Sequence, residues 1–192
     1  MLSHAFHDKN YNAPRSEANP VFSSTIVSST ELTTTNQNLV IKRDISFTQA
    51  HADLASYDVL VIPGGGSSNV LTERTEPISL ITAFFNLPPK KDGSTRYILS
   101  VCTGSLFLGE AGILKGLSAT THFDFYDRLR EITGGNETKV LEERFVVNRK
   151  DEERGVRVIT AGGVSCGLDA CLWLIGEVVG EEIKESAANV VQ

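Results

Sequence analysis

The sequence predicts an α/β domain with an open, mostly parallel sheet and helices packed over both of its faces. Three observations carry this reading. Two short, continuous apolar runs, residues 58–62 (DVLVI) and 97–101 (YILSV), have the pattern of strands buried on both sides. Each run is cut off by turn residues: Pro63-Gly64-Gly65-Gly66 after the first, Cys102-Thr103-Gly104-Ser105 after the second. Around them lie stretches with apolar residues at helical spacing. Strands and helices therefore alternate, the order that builds parallel sheets.

Residues 1–24 show no clear period and contain Pro14 and Pro20. They read as an irregular N-terminal arm, with at most a short helical piece over 2–7, ahead of an α/β domain spanning 25–192. Residues 25–29 are β-branched and predict a short strand, and residues 39–41 another. Residues 53–56 close a short helix. After DVLVI a segment over 69–87 follows, with apolar residues at helical spacing from 78 to 85, Glu76 and Pro77 suited to a helix first turn and Pro88-Pro89 stopping it. A helix over 106–111 follows YILSV and ends at the glycines of 112–116. Residues 118–121 form a short strand, and 123–132 an amphipathic helix with Phe125, Leu129 and Ile132 on one side. The β-rich runs 144–148 and 156–160 are joined by the charged turn 149–155, a solvated hairpin tip. Residues 167–179 are a strongly apolar helix, and 181–191 continue as a surface helix. No internal repeat or second domain emerges.

Composition narrows the function classes. The chain has 192 residues and 41% apolar content, enough for one packed core. Its net charge of −6 argues against nucleic-acid binding, which favours a basic excess. No run approaches the roughly 18 apolar residues that span a bilayer, and the polar start carries no signal-peptide stretch. A cytoplasmic protein with no membrane partner is expected. Cys102, Cys166 and Cys171 are an odd set for a disulfide framework and read as thiols. Four residues separate Cys166 from Cys171, and no His or Cys pair accompanies them, so no metal site is expected.

Four segments carry chemistry. In Ser100-Val101-Cys102-Thr103-Gly104-Ser105 a buried strand leads into Cys102 and a helix leaves at once. That places the sulfur at the carboxyl end of the sheet and at a helix N-terminus, where a thiolate is favoured. The arrangement resembles a hydrolase nucleophile elbow with Cys in place of Ser; the alternative is a buried, inert cysteine. Residues 62–69 (IPGGGSSN) end the neighbouring strand. Their glycines suit an anion-binding nest or oxyanion hole, or else a plain tight turn. They lack the Lys-Ser/Thr ending of a phosphate loop. In Thr120-Thr121-His122-Phe123, His122 either starts a helix or lines a pocket. In residues 160–169 (TAGGVSCGLD) Ser165 is a pocket-lining candidate, Cys166 and Cys171 are packing residues, and Asp169 complements the helix dipole. Several such strand ends meeting at one sheet edge point to a small-molecule site.

The strings IPGGG, SVCTGSLFLGEAGILKG, ATTHF and TAGGVSCGLDACLWL, in this order, resemble the ThiJ/PfpI superfamily, and within it the isonitrile-hydratase-like branch. The similarity runs from about residue 24 to the C-terminus. It implies a flavodoxin-like sandwich of the class I glutamine-amidotransferase type and a homodimer. It implies Cys102 as nucleophile with Thr103 beside it, Gly65 or Gly66 as the backbone oxyanion contact, and His122 near the cysteine. The implied reaction adds water to an isocyanide to give an N-substituted formamide, with no metal or organic cofactor. Such proteins ordinarily open with a strand and a helix that carries an acidic residue. No apolar opening strand is found here, and Asp8 and Glu17 are the only acids upstream of Glu31. A non-catalytic or redox-sensing role, with Cys102 as the oxidisable thiol, is the alternative. A glutamine amidotransferase is disfavoured, because His122 is the only histidine after Cys102 and no downstream His-x-Glu pair exists.

Overall fold

The computed structural model describes residues 20–35, 38–135 and 137–190. The chain divides into two compact units, Ile26–Gly167 and a smaller one formed by Met1–Thr25 with Leu168–Gln192.

The larger unit is built on a four-stranded sheet. Its strands are β3 (Val59–Ile62), β4 (Arg96–Val101), β8 (Val156–Ala161) and β7 (Phe145–Val147), in that spatial order. β3, β4 and β8 are parallel, and β7 returns antiparallel to β8 at one edge. The register places Ile62, Ser100 and Thr160 in one row and Val101 opposite Ala161. Two smaller ladders flank it: β1 (Leu32–Thr34) with β2 (Val40–Lys42), antiparallel, and β5 (Ser118–Ala119) with β6 (Lys139–Val140), parallel. The helices of this unit are α1 (Phe47–Ala52), α2 (Ser68–Glu73), α3 (Ile78–Phe85), α4 (Gly104–Glu110) and α5 (Tyr126–Ile132); α6 (Val164–Val179) begins in it and runs on into the smaller unit.

One face of the sheet makes the core. Ile62, Ile98, Val156 and Val158 pack with Ile81 and Phe84 of α3, Leu106 and Leu108 of α4, and Leu129 of α5. Phe84, Ile81, Ile98, Leu106, Leu108 and Leu129 are almost wholly removed from water. Each such side chain contributes about 1.5–3 kcal/mol through burial. On the other face, Gly167 in the first turns of α6 lies against Val101; a Cβ there would come within 2.7 Å of a Val101 methyl. In the smaller unit, α6 and α7 (Glu181–Val190) turn at Gly180, whose φ of +95° is open to glycine. Ile175 and Ala187 are its buried centre, with Val21, Phe22, Leu172, Val179 and Ile183 around them.

The structure departs from the sequence reading in several places. The helical segment over 69–87 is two helices, α2 and α3, β1 and β6 were not expected, and residues 123–125 form a 3-10 turn ahead of α5. Residues 25–29 form no strand beyond a single bridge, Val27 to Ile45. The backbone of Ile26 is taken up locally: its N–H donates to the Asp44 carboxylate (2.7 Å), and its carbonyl accepts from the N–H of Asp44 and Ile45. The short helix expected to close at 53–56 is α1, which ends at Ala52; Ser46 and Gln49 form a reciprocal capping box at its start. Residues 54–56 are a 3-10 turn, not the end of that helix. Among the described strands β3 lies at the edge of the sheet, and it is not buried on both faces: Val61 remains 40% exposed. Strand β5 stops at Ala119, because the Thr120 N–H leaves the ladder for the Thr160 hydroxyl (2.8 Å). The reading of residues 1–19 as an arm lies outside the described residues. Among the described residues no helix is long and apolar enough to cross a membrane.

Glu76 ties α1 to α3. Its carboxylate meets His51 Nε2 (2.7 Å), accepts from the Ser79 hydroxyl, and accepts from the Leu80 N–H (3.1 Å). Partial burial works to raise its pKa. The hydrogen bonds from Ser79, His51 and Leu80 outweigh burial and hold it below the ordinary glutamate range. A group depressed in the folded state adds stability above its ordinary pKa, and that stability is lost as pH falls through the folded value. Glu76→Gln is therefore expected to cost about 1 kcal/mol near neutral pH. The gap to the parent should close as the pH drops through and below about 4. Urea unfolding of both chains across this range checks it; a gap that stays constant with pH contradicts it.

Candidate active site

Because β3, β4 and β8 are parallel and in register, their carboxyl ends lie side by side, and the loops that follow them meet at one sheet edge. Cys102 sits at the centre, directly after β4. Its φ is +57°, a left-handed conformation that costs an L-residue about 1–2 kcal/mol. The surrounding backbone holds it there. The Cys102 N–H donates to both Ala161 O (3.0 Å) and Gly162 O (2.7 Å), at the end of β8. The Cys102 carbonyl accepts from the hydroxyls of Thr121 (3.1 Å) and Ser105 (3.3 Å). The elbow is thus pinned on both sides of its Cα, and the residue remains half-buried rather than sealed.

The glycine loop after β3 crosses directly over the cysteine. A Cβ on Gly64 would lie 2.6 Å from Cys102 Cβ, 3.1 Å from its Sγ and 3.0 Å from the Thr103 nitrogen. Only glycine allows this approach. Gly104 plays a matching part beneath the turn, where a Cβ would come within 2.4 Å of Ile62 O. Thr103, buried, locks the same loop. Its hydroxyl accepts from the Gly65 N–H (3.0 Å) and donates to the Gly65 carbonyl (2.9 Å). The two glycines singled out from the sequence therefore differ. The Gly65 N–H is already engaged, whereas the Gly66 N–H has no partner among the described residues.

His122 lies at the start of a 3-10 turn, residues Phe123–Phe125, and caps it. Its Nδ1 accepts from the Asp124 N–H (3.4 Å), and its ring stacks on Phe123 at 4.4 Å. The adjacent Thr121, fully buried, is the residue that reaches the elbow. Ser165 is exposed in the first turn of α6, and its hydroxyl accepts from Arg144 Nη2 (3.4 Å). Cys166 stands next to the loop after β8, where a Cβ on Gly162 would meet its sulfur at 3.3 Å. All three cysteines are free thiols, and burial pushes the Cys171 thiol up, which makes it a poor nucleophile.

Gly64 and Thr121 are the site residues that sequence reasoning passed over. Both stand inside segments it had marked, one residue away from the positions chosen. Among the described residues, none donates a hydrogen bond to or accepts one from Cys102 Sγ, and no carboxylate contacts it. Asp8 and Glu17 lie outside the described residues. Among the described residues no group of three His, Cys, Asp or Glu side chains is placed to hold a metal.

What this arrangement supplies is a thiol on a strained, fully braced turn. The Gly64 backbone crosses close to it, and the Gly66 N–H of the same loop has no partner among the described residues. The chain matches the DJ-1/PfpI family over residues 2–175. It is 35% identical over 133 residues to an isonitrile hydratase from Pseudomonas putida; the match covers 69% of this chain but 50% of that protein. Among solved structures it is similar to a ThiJ/PfpI family protein from Pseudomonas syringae, with a TM-score of 0.65 and 29% identity, covering 87% of this chain and 61% of that one. Schizosaccharomyces pombe DJ-1 shares the fold at a TM-score of 0.64 and 20% identity, covering 84% of this chain and 78% of the other. The chain therefore spans only about half to three-fifths of the first two of these relatives. With its flavodoxin-like mixed α/β fold and the match over nearly its whole length, the chain belongs to the DJ-1/PfpI family.

Proposed function

We propose that this chain is a cysteine-dependent hydratase that acts on a small isocyanide through Cys102. The observation that carries the proposal is the elbow itself: a half-buried thiol held in a left-handed conformation by four hydrogen bonds to its own N–H and carbonyl, two from backbone and two from the Thr121 and Ser105 hydroxyls, with Gly64 close to its sulfur. Similarity to an isonitrile hydratase supports the choice of substrate.

The Cys102 thiolate donates an electron pair to the terminal isocyanide carbon and forms a C–S bond. The carbon takes a proton, which gives a thioimidate. Water adds to that carbon, and the nitrogen is protonated. The C–S bond then breaks with its electrons returning to sulfur while the hydroxyl loses its proton to solvent, which replaces the proton the carbon took up and releases an N-substituted formamide and the thiolate. Net consumption is one water. The Gly66 N–H, without a partner among the described residues, is assigned to stabilise charge that develops on the substrate. Thr103 acts as a positioning residue: it fixes the Gly65 peptide and so the loop that carries Gly64 and Gly66. His122 and Ser165 are assigned to the walls of the substrate site, at the ends of the segments after β5 and β8. We place the protein in the cytoplasm as a homodimer, a reading that its three free thiols and its family support.

A second reading, Cys102 as an oxidisable thiol in a non-catalytic protein, is favoured by one observation: no described residue hydrogen-bonds its sulfur.

Incubation with a small alkyl or aryl isocyanide, followed by mass spectrometry of the formamide, tests the first reading. The parent should turn over, and Cys102→Ala should lose on the order of 10³-fold or more in rate. Equal turnover by the two chains contradicts the proposal, and no turnover by either supports the second reading. Thr103→Val keeps the shape of the side chain but strands the Gly65 N–H and carbonyl. It should lower kcat about tenfold with KM little changed, and lower stability by about 1–3 kcal/mol. A change confined to stability would remove Thr103 from the mechanism.

A further inference from the structure

The end of the sheet opposite Cys102 carries a cavity. Cys102 follows the last residue of β4, whereas this cavity, of about 260 Å³, begins at Val156, the first residue of β8. Its walls are apolar: Phe85 at the end of α3, Ile113 and Leu117 in the segment after α4, and Val156 and Val158 on β8. Its rim is cationic. Lys115, Arg149 and Arg154 line it against a single carboxylate, Asp151, in a chain whose overall charge is −6.

The three cations are not equivalent. Arg154 is committed: its guanidinium bonds the Asp151 carboxylate (2.8 Å) and lies over the Phe85 ring at 5.1 Å. Burial works to raise the Asp151 pKa, but the bonds from Arg154 outweigh it, and the carboxyl is held below its ordinary range. It stays ionised as the partner of Arg154. Lys115 is paired with Glu137 at 2.8 Å. Arg149, exposed on the tip between β7 and β8, makes no ion pair among the described residues. An apolar slot with one uncommitted guanidinium at its mouth suits a ligand with a flat hydrocarbon body and a terminal carboxylate, because the guanidinium fork takes a carboxylate in two parallel hydrogen bonds.

We propose that the cavity bounded by Phe85, Leu117 and Val158 is a second binding site, separate from Cys102, for a small aryl carboxylate whose anionic end is held by Arg149.

Titration of the full chain with 2-naphthoate and with its neutral analogue 2-naphthamide, followed by amide NMR, tests this. The carboxylate should saturate with a Kd below about 1 mM and bind at least about fivefold more tightly than the amide. Shifts should concentrate at residues 112–117 and 149–158. Arg149→Gln should weaken naphthoate binding about fivefold while leaving naphthamide binding and the melting temperature unchanged, and Arg149→Lys should retain part of the preference. Equal affinity for acid and amide overturns the proposal. So do parent-like binding by Arg149→Gln, no saturation up to about 10 mM, or shifts centred on residues 64–66 and 102–105.

Discussion

The site depends on one shared hydrogen-bond donor. The Cys102 N–H points at the carbonyls of Ala161 and Gly162 together, and this joins the end of β4 to the end of β8 just where the chain must leave the sheet. In that position φ must become positive, which a β-carbon resists. The cost of about 1–2 kcal/mol is offset by a set of polar contacts that no relaxed turn would make: two at the N–H and two at the carbonyl, from Thr121 and Ser105. The strain turns the thiol out of the strand line and toward the loops at the sheet edge.

The glycines around the elbow follow from the same constraint. With Cys102 turned out, the loop after β3 must pass within contact distance of it, and Gly64 is the residue at that crossing. The first turn of α4 must start against the end of β3, and Gly104 is the residue at that contact. Thr103 then fastens the loop through both polar atoms of one peptide, Gly65. The three loops are therefore one mechanical unit, and a change in any of them is transmitted to the sulfur. The opposite end of the sheet has the reverse character. Its loops bear charge, and its cavity is lined mostly by residues with apolar or charged side chains.

Much of this was legible in the sequence, for identifiable reasons. The runs DVLVI and YILSV, each cut by a turn, marked β3 and β4, and the placement of Cys102 followed from the second. The order of the glycine and cysteine segments pointed to the family. Which of three consecutive glycines touches the cysteine was not legible, because it depends on the register that sets Ile62 beside Ser100, a long-range pairing. Thr121 was overshadowed by His122: an imidazole advertises chemistry, while a buried hydroxyl that grips a carbonyl does not. A continuous apolar run cannot say how many neighbours a strand has, and β3 proved to be an edge among the described strands. β-branched residues at 25–29 signalled a strand, but the Asp44 carboxylate and its neighbouring N–H groups occupied that backbone first. α1, six residues long, was too short to show a period, so its end was placed a few residues late, and its start is marked by the Ser46 and Gln49 capping box.

The claim that all of this rests on is that the fold presents Cys102, out of three thiols, for reaction at the sheet edge. Timed alkylation of the native chain with iodoacetamide, with each cysteine followed by peptide mass spectrometry, tests it directly. The account predicts that Cys102 is modified first and Cys171, whose thiol is raised by burial, last. A native chain in which Cys166 or Cys171 reacts while Cys102 stays protected would contradict it.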